Sequence, residues 1–295
     1  MTFDLKQDNA INKLLSRKPF LRVIEAVNCL EAYAAEAAFS CGADSEKITF
    51  DALWLSGLCH AAAKGMPDNG SVPVSEKCNV IGDIKRISDK PIFVDCDTDC
   101  SPESISAYEK AGASAAVIED KKGVKHNSLY GSSKPHKMES ADAFADRLKT
   151  ARSASQNILI FARTESLIAG ENVRDALSRA EKYISAGADG IVIHSAETDG
   201  KNIFLFAKMF KDMHPDVTLV FIPTMYNSFD CDTLHQHGAD IIIYANQLTR
   251  SAYKAMLAAA NSILGNGCSK YADENYCESV GNILKITDGD RNDRY

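Results

Sequence analysis

Three acids stand where apolar runs give out. Asp95 and Asp97 follow Pro91-Ile-Phe-Val, and Glu119 follows Ala115-Ala-Val-Ile. Carboxylate oxygens grouped this way suit a hard cation such as Mg²⁺, which keeps several waters and joins one or two carboxylates to a substrate. An Asp-x-Asp-x-Asp run is also what a solvated turn or a helix cap looks like, so the metal reading leans on Glu119, a third acid at the end of the next run. No His/Cys cluster has zinc spacing. Arg163 and His194 close two further apolar runs. An arginine fork matches phosphate or carboxylate oxygens, and the pair could hold an anion from one side. Each could equally be a structural partner of Glu165 or Asp189. Ser56-Gly57-Leu58 offers a hydroxyl and successive backbone N–H groups, which is an oxyanion-type donor set or a plain turn. Glu119 also opens the stretch Glu119-Asp-Lys-Lys-Gly-Val-Lys-His-Asn-Ser128, an apolar strand breaking into a glycine-containing basic loop with Lys125, Asn127 and Ser128. Such a loop suits a cover over a site where a metal and an anionic substrate meet. Cys59-His60 has the composition of a nucleophile pair, but adjacent residues rarely point at one another.

The elements that must position these residues follow a rhythm. Strand-like runs at 21–26, 50–56, 91–95, 115–119, 158–162, 190–194, 217–222 and 241–244 alternate with helical stretches at 30–39, 75–87, 103–111, 141–151, 173–186, 203–213, 231–237 and 248–264. A short amphipathic helix at 10–15 precedes them, and 57–73 reads as a loop. The strands are continuous apolar runs, as expected when both faces are buried in a parallel sheet. Ala-Gly-Ala turns at 111–113 and 186–188, and His-Gly-Ala at 237–239, sit where a helix hands over to the next strand. Eight such units predict an α/β fold of the closed (β/α)8 TIM type, whose reactive groups lie at the carboxyl ends of the strands. An open doubly wound sheet is the alternative, but no GxGxxG follows the first strand. The predicted organisation is one barrel domain over 1–264 and a polar, frayed tail over 265–295, with 41–49 as an insert.

Composition narrows the function class. The 295 residues are 45% hydrophobic and 25% charged, enough for a large core. Net charge is -7 without a basic block, which argues against a nucleic-acid partner. Residues 1–12 lack the apolar centre of a signal peptide, and no apolar run approaches the roughly 18 residues of a membrane helix. Nine scattered cysteines without a CxxC pair read as free thiols in a reducing cytoplasm.

These segments together resemble the phosphoenolpyruvate mutase/isocitrate lyase superfamily over about residues 20–264. The resemblance is carried by Glu25-Ala-Val-Asn28, Trp54-Leu-Ser-Gly-Leu58, Asp68, Asp95-Cys-Asp-Thr98, the 119–128 stretch, Ala162-Arg-Thr-Glu165, Ala188 to Ser195 and Ile222-Pro-Thr224. It implies an isomerase that interconverts phosphoenolpyruvate and phosphonopyruvate for phosphonate biosynthesis. It also implies Mg²⁺ held through Asp95, Asp97 and Glu119, partly by water. Trp54, Ser56, Gly57 and Leu58 would cradle the pyruvyl part, and Arg163 and His194 would grip the phosphoryl oxygens. Asp68 would lie near the transferring group, with Lys125, Asn127 and Ser128 in a gating loop and Asn127 reaching the phosphoryl group. The lyase branch carries a Cys in that loop, whereas here it reads Lys125-His-Asn-Ser128, against C–C cleavage. Phosphonopyruvate hydrolysis and a non-catalytic binding protein on the same barrel are the alternatives. Departures include Leu55 where Gly is usual and Asp99-Cys100 after the Asp-x-Asp-Thr. The resemblance further implies a homo-oligomer, a dimer or tetramer, with the last helix packed on a neighbour's barrel.

Overall fold

The computed structural model describes residues 8–42, 45–123, 127–129 and 137–287. The chain begins with α1 (Ala10–Leu15) and β1 (Leu21–Glu25), then α2 (Cys29–Ala37). Part of the predicted insert forms a small antiparallel ribbon, β2 (Ser40–Cys41) with β3 (Lys47–Ile48). The remaining strands are β4 (Ala52–Leu55), β5 (Ile92–Asp95), β6 (Ala115–Glu119), β7 (Leu159–Thr164), β8 (Gly190–Ile193), β9 (Thr218–Phe221) and β10 (Ile241–Tyr244). With β1 they close a barrel in the order β1-β10-β9-β8-β7-β6-β5-β4, all pairs parallel. This is the predicted (β/α)8 architecture.

Alternation decides what each strand offers the interior. Leu21, Val23, Ala52, Trp54, Phe93, Ala115, Val117, Leu159, Phe161, Val192, Val220, Ile241 and Ile243 form one buried cluster inside the barrel. Their neighbours, among them Ile24, Leu53, Val94, Ala116, Ile118, Ile160 and Ile191, join the larger cluster under the surrounding helices. Ile11 of α1 is fully buried in the interior cluster, with Leu14 and Leu15 packed against it. Asn9 caps α1 and ties it to the amino ends of β6 and β7, its amide donating to the carbonyls of Ser114 (2.9 Å) and Asn157 (2.7 Å). The barrel floor is therefore filled.

Helices α4 (Val74–Lys85), α5 (Pro102–Ala111), α6 (Ala141–Ala154), α7 (Val173–Ser185), α8 (Lys201–Met213), α9 (Cys231–Gln236) and α10 (Gln247–Asn266) continue the rhythm. The Ala186-Gly-Ala turn shows how they hand over. Gly187 takes φ 100°, a conformation that costs glycine little, and Ala188 N–H bonds back to the Tyr183 carbonyl at 3.0 Å. Two expectations need correcting. The loop predicted at 57–73 begins as a helix, α3 (Gly57–Ala63), because the Ser56 side chain accepts from Cys59 N–H and caps it. The tail predicted to be frayed carries α11 (Lys270–Asn275), with Ala272 fully buried, and α12 (Val280–Thr287).

Gly190 has no room for a side chain. A Cβ there would lie 2.6 Å from Phe161 Cε1 and 2.6 Å from the Thr218 carbonyl oxygen. The carbonyl is fixed by strand pairing, so Gly190→Ala should destabilise by about 1–3 kcal/mol. Urea unfolding checks this, and an unchanged midpoint would refute the close approach.

Glu25 joins the barrel to α10. Thr249 N–H donates to Glu25 Oε1 at 2.6 Å, and Thr249 Oγ1 donates to Glu31 Oε1 at 3.0 Å. Burial pushes the Glu25 carboxyl from 4.5 up to about 7; the Thr249 hydrogen bond opposes this and Glu31 adds to it. Between those values the folded chain holds a proton that the unfolded chain has lost, so this group's contribution to stability falls as pH rises through the window. Glu25→Gln should gain on the wild type from about pH 5 to about pH 8, by something on the order of 3 kcal/mol. A pH-independent difference in thermal unfolding would contradict it.

Candidate active site

The column of inward-facing residues does not stop at the apolar core. Two residues beyond Phe93 comes Asp95, beyond Val117 comes Glu119, beyond Phe161 comes Arg163, beyond Val192 comes His194, and beyond Trp54 comes Ser56. These strand ends, all but Glu119, line one cavity with Trp54, Leu58, Asp68, Asn127, Ser128, Leu129, Ile222, Thr224, Ala245 and Asn246. Of the predicted site residues, Gly57, Asp97 and Glu119 lie beside that cavity rather than on its wall, and Lys125 lies outside the described residues.

Register brings opposite charges together. Glu119 pairs with Arg163 across β6 and β7, and both are buried. The Glu119-Asp120-Lys121 run then splits by alternation. Glu119 and Lys121 share the interior, with Lys121 Nζ 3.2 Å from Glu119 Oε2. Asp120 turns outward to α7, accepting from Tyr183 Oη at 2.6 Å and from Glu165 N–H at 2.9 Å. Burial pushes the Asp120 carboxyl up to about 6, against those bonds and the Arg179 guanidinium.

Glu165, fully buried, is the hub of this side of the site. Its Oε1 accepts from Arg163 Nε at 2.5 Å and its Oε2 from Ser128 Oγ at 2.7 Å. Ser128 Oγ in turn accepts from Lys121 Nζ at 2.6 Å and Arg163 Nη2 at 2.9 Å. Burial alone would raise the Glu165 carboxyl, but Arg163, Lys121 and His194 hold it well below the usual range. His194 is shifted down as well, by burial first and then by Arg163, with Glu165 opposing. His194 Nδ1 lies 2.9 Å from Arg163 Nη2, which can only donate, and 3.2 Å from Glu165 Oε1, a carboxylate oxygen that accepts. Arg163 and His194 are thus structural partners of Glu165, one of the readings the sequence left open, and both also line the cavity.

On the opposite side, Asp95 Oδ2 accepts from Gly57 N–H at 3.1 Å, and Oδ1 from Asp97 N–H at 3.2 Å. A Cβ on Gly57 would sit 2.9 Å from both Asp95 Oδ2 and Asp97 Oδ1, so glycine keeps that space open. The Gly57 N–H is committed to Asp95, which removes it from any oxyanion set. Asp97 turns from the main cavity, its Oδ2 2.8 Å from Lys77 Nζ. Ser101 caps α5, and Asp99 braces that turn by accepting from Ser101 N–H at 2.9 Å and from Ser104 Oγ. Asn28 caps α2 by accepting from Glu31 N–H at 3.0 Å. Cys59 points at Glu25 and the Ala245 carbonyl, and burial with Glu25 pushes its thiol up to about 12, so it forms no dyad with His60. Across the cavity mouth Asn127 Nδ2 donates to Asp68 Oδ2 at 2.5 Å.

Sequence reasoning missed Lys77 and the part played by Lys121. Lys77 could have been found from its spacing, since it shares the buried face of α4 with Ile81 and Ile84.

Together, fold and site define a (β/α)8 protein with a carboxylate side and an anion-donor side facing one cavity. A family model described as phosphoenolpyruvate phosphomutase matches residues 11–264, and the chain belongs to that family. Phosphoenolpyruvate phosphomutase of Tetrahymena pyriformis is 26% identical over 95% of this chain and 89% of its own length. The crystal structure of phosphoenolpyruvate phosphomutase from Streptomyces platensis subsp. rosaceus superposes with a TM-score of 0.86 at 28% identity, covering 95% of this chain and 94% of that one. Phosphonopyruvate hydrolase, solved with oxalate and Mg²⁺, superposes with a TM-score of 0.82 at 26% identity, covering 96% and 95%.

Removing the hub's charge tests the network. Glu165→Gln leaves Arg163 and Lys121 buried with less compensation and should cost about 3 kcal/mol in urea unfolding. A loss under about 0.5 kcal/mol, the range of surface changes, would show that the network does not hold the site together.

Proposed function

We propose that this chain is a Mg²⁺-dependent phosphoenolpyruvate mutase, interconverting phosphoenolpyruvate and phosphonopyruvate in phosphonate biosynthesis. The observation that carries the reading is the Asn127–Asp68 hydrogen bond across the cavity mouth, with Ser128 anchored on Lys121, Arg163 and Glu165 beneath it. A phosphoryl group between two sites on one molecule must be kept from water, and a cover held at two adjacent residues does that.

Among the described residues no three His, Cys, Asp or Glu side chains form a ready-made metal cage. The oxygen donors present nonetheless fit Mg²⁺, which keeps several waters. Asp95, on the cavity wall beside the space Gly57 leaves open, would hold it directly, and Asp97 and Glu119 through water. When bound, the ion supplies positive charge to the pyruvyl oxygens. Trp54, Ser56 and Leu58 flank that end, while Arg163 and His194 hold the phosphoryl oxygens. In the direction of phosphonopyruvate, the P–O bond breaks and its electron pair stays on the enolate oxygen. That oxygen becomes the ketone as the C=C π pair forms the new P–C bond, with no net proton change. Phosphoryl transfer of this loose kind asks mainly for positioning and charge stabilisation, which fixed donors provide.

The same reading includes association between copies of the chain. α10 has no buried residue and exposes Tyr253, Met256, Leu257 and Leu264. No helix is long and apolar enough to cross a membrane among the described residues.

Phosphonopyruvate with Mg²⁺ should give phosphoenolpyruvate by ³¹P NMR. Pyruvate and inorganic phosphate alone would make the chain a hydrolase, and no turnover at any Mg²⁺ concentration would make it a binding protein. Asp95→Ala should lower kcat by roughly 10²-fold or more with the fold intact by circular dichroism; unchanged turnover would sink the metal assignment.

A further inference from the structure

The acids of the cation site carry a cation of their own. Lys77 is 3% exposed, and its ammonium donates to the Asp95 carbonyl at 2.6 Å and to Asp97 Oδ2 at 2.8 Å. Asp97 itself stands at φ 55°, in the left-handed region that a non-glycine residue holds only when its surroundings enforce it. Two contacts do so here. Lys77 holds the carboxylate, and the Asp97 carbonyl accepts from Glu119 N–H at 2.8 Å.

Packing does not require an ammonium at this position. Its helical neighbours on the buried face are Ile81 and Ile84, and an apolar chain of similar length would fill the same space. What the ammonium adds is charge beside the place a dication would occupy. The buried acids Asp95, Asp97, Glu119 and Glu165 are met by the buried bases Lys77, Lys121 and Arg163, so this set is one charge from neutral before any ion or substrate arrives. A dication entering it gains less than it would among free carboxylates. An anionic substrate arriving with the ion restores the missing negative charge.

We propose that Lys77 is a resident counter-cation. It weakens divalent-cation binding to the empty site and so couples that binding to the anion that comes with it. The inference rests on the reading that Asp95, Asp97 and Glu119 hold Mg²⁺, and binding couplings of this kind are reciprocal.

Mn²⁺, detected by electron paramagnetic resonance in place of Mg²⁺, gives a readout independent of turnover. It is titrated into the wild type, Lys77→Met and Lys77→Arg, with and without oxalate. Lys77→Met should bind Mn²⁺ about tenfold more tightly without oxalate, the Coulomb effect of one unit charge near a dication with water-like screening. Oxalate should tighten Mn²⁺ binding strongly in the wild type and less in Lys77→Met. Lys77→Arg keeps the charge and should stay within about twofold of the wild type; a cavity of about 210 Å³ beside Lys77 and Asp97 leaves space for the guanidinium. A folded Lys77→Met that binds Mn²⁺ as the wild type does, or more weakly, overturns the proposal, as does a Lys77→Arg that behaves like Lys77→Met. If Lys77→Met does not fold, Lys77→Gln takes its place, and failure of both makes Lys77 a structural requirement and overturns it too. A wild type that binds no Mn²⁺ even with oxalate refutes the metal reading itself, a result distinct from all the others.

Discussion

Strict alternation of side chains along eight parallel strands is the constraint on which this molecule depends. The residues that fill the barrel and the residues that face the cavity belong to the same columns, separated by a single step of two. Phe93 and Asp95, Phe161 and Arg163, Val192 and His194 are consecutive storeys of one structure. A one-residue slip in any strand would send its polar end out among the helices and its apolar neighbours into the site. The tight fit of the lower storeys, where Gly190 admits the Phe161 ring, is therefore also what fixes the height of Arg163.

On that scaffold the two sides of the cavity are built differently. The side of Arg163 and His194 is a closed ionic network around Glu165, in which each charge is met within the protein. Such a network costs desolvation and contributes little net stability, but it gives its members one arrangement. The side of Asp95 is more open, with one carboxylate on the cavity wall, another drawn back toward Lys77 and a glycine leaving space between them.

Much of this could be read from the residues alone. The barrel was legible because its strands are unbroken apolar runs, and the gathering of polar groups at one end because Asp95, Glu119, Arg163 and His194 each end such a run. Less legible was how these groups are held. Lysine on a helix normally reads as solvated, so the burial of Lys77 shows only when its spacing to Ile81 and Ile84 is weighed above its charge. The start of α3 was read as a loop because Ser56-Gly57 signals a turn, and the cap that turns it into a helix is a side-chain bond. The tail was judged by its polar end, although Val280, Ile283 and Leu284 already have helical spacing. In each case the sequence shows which groups are present, while partner and direction come from the three-dimensional packing.

The filled floor described for α1 has a consequence at the other end of the molecule. With Ile11 stoppering the amino end of the strands, the barrel is a well and not a tunnel. Among the described residues the cavity lies at the carboxyl end of the strands, where Asn127 is bonded to Asp68. Whatever reaches the bottom of the well must leave by the end at which it entered.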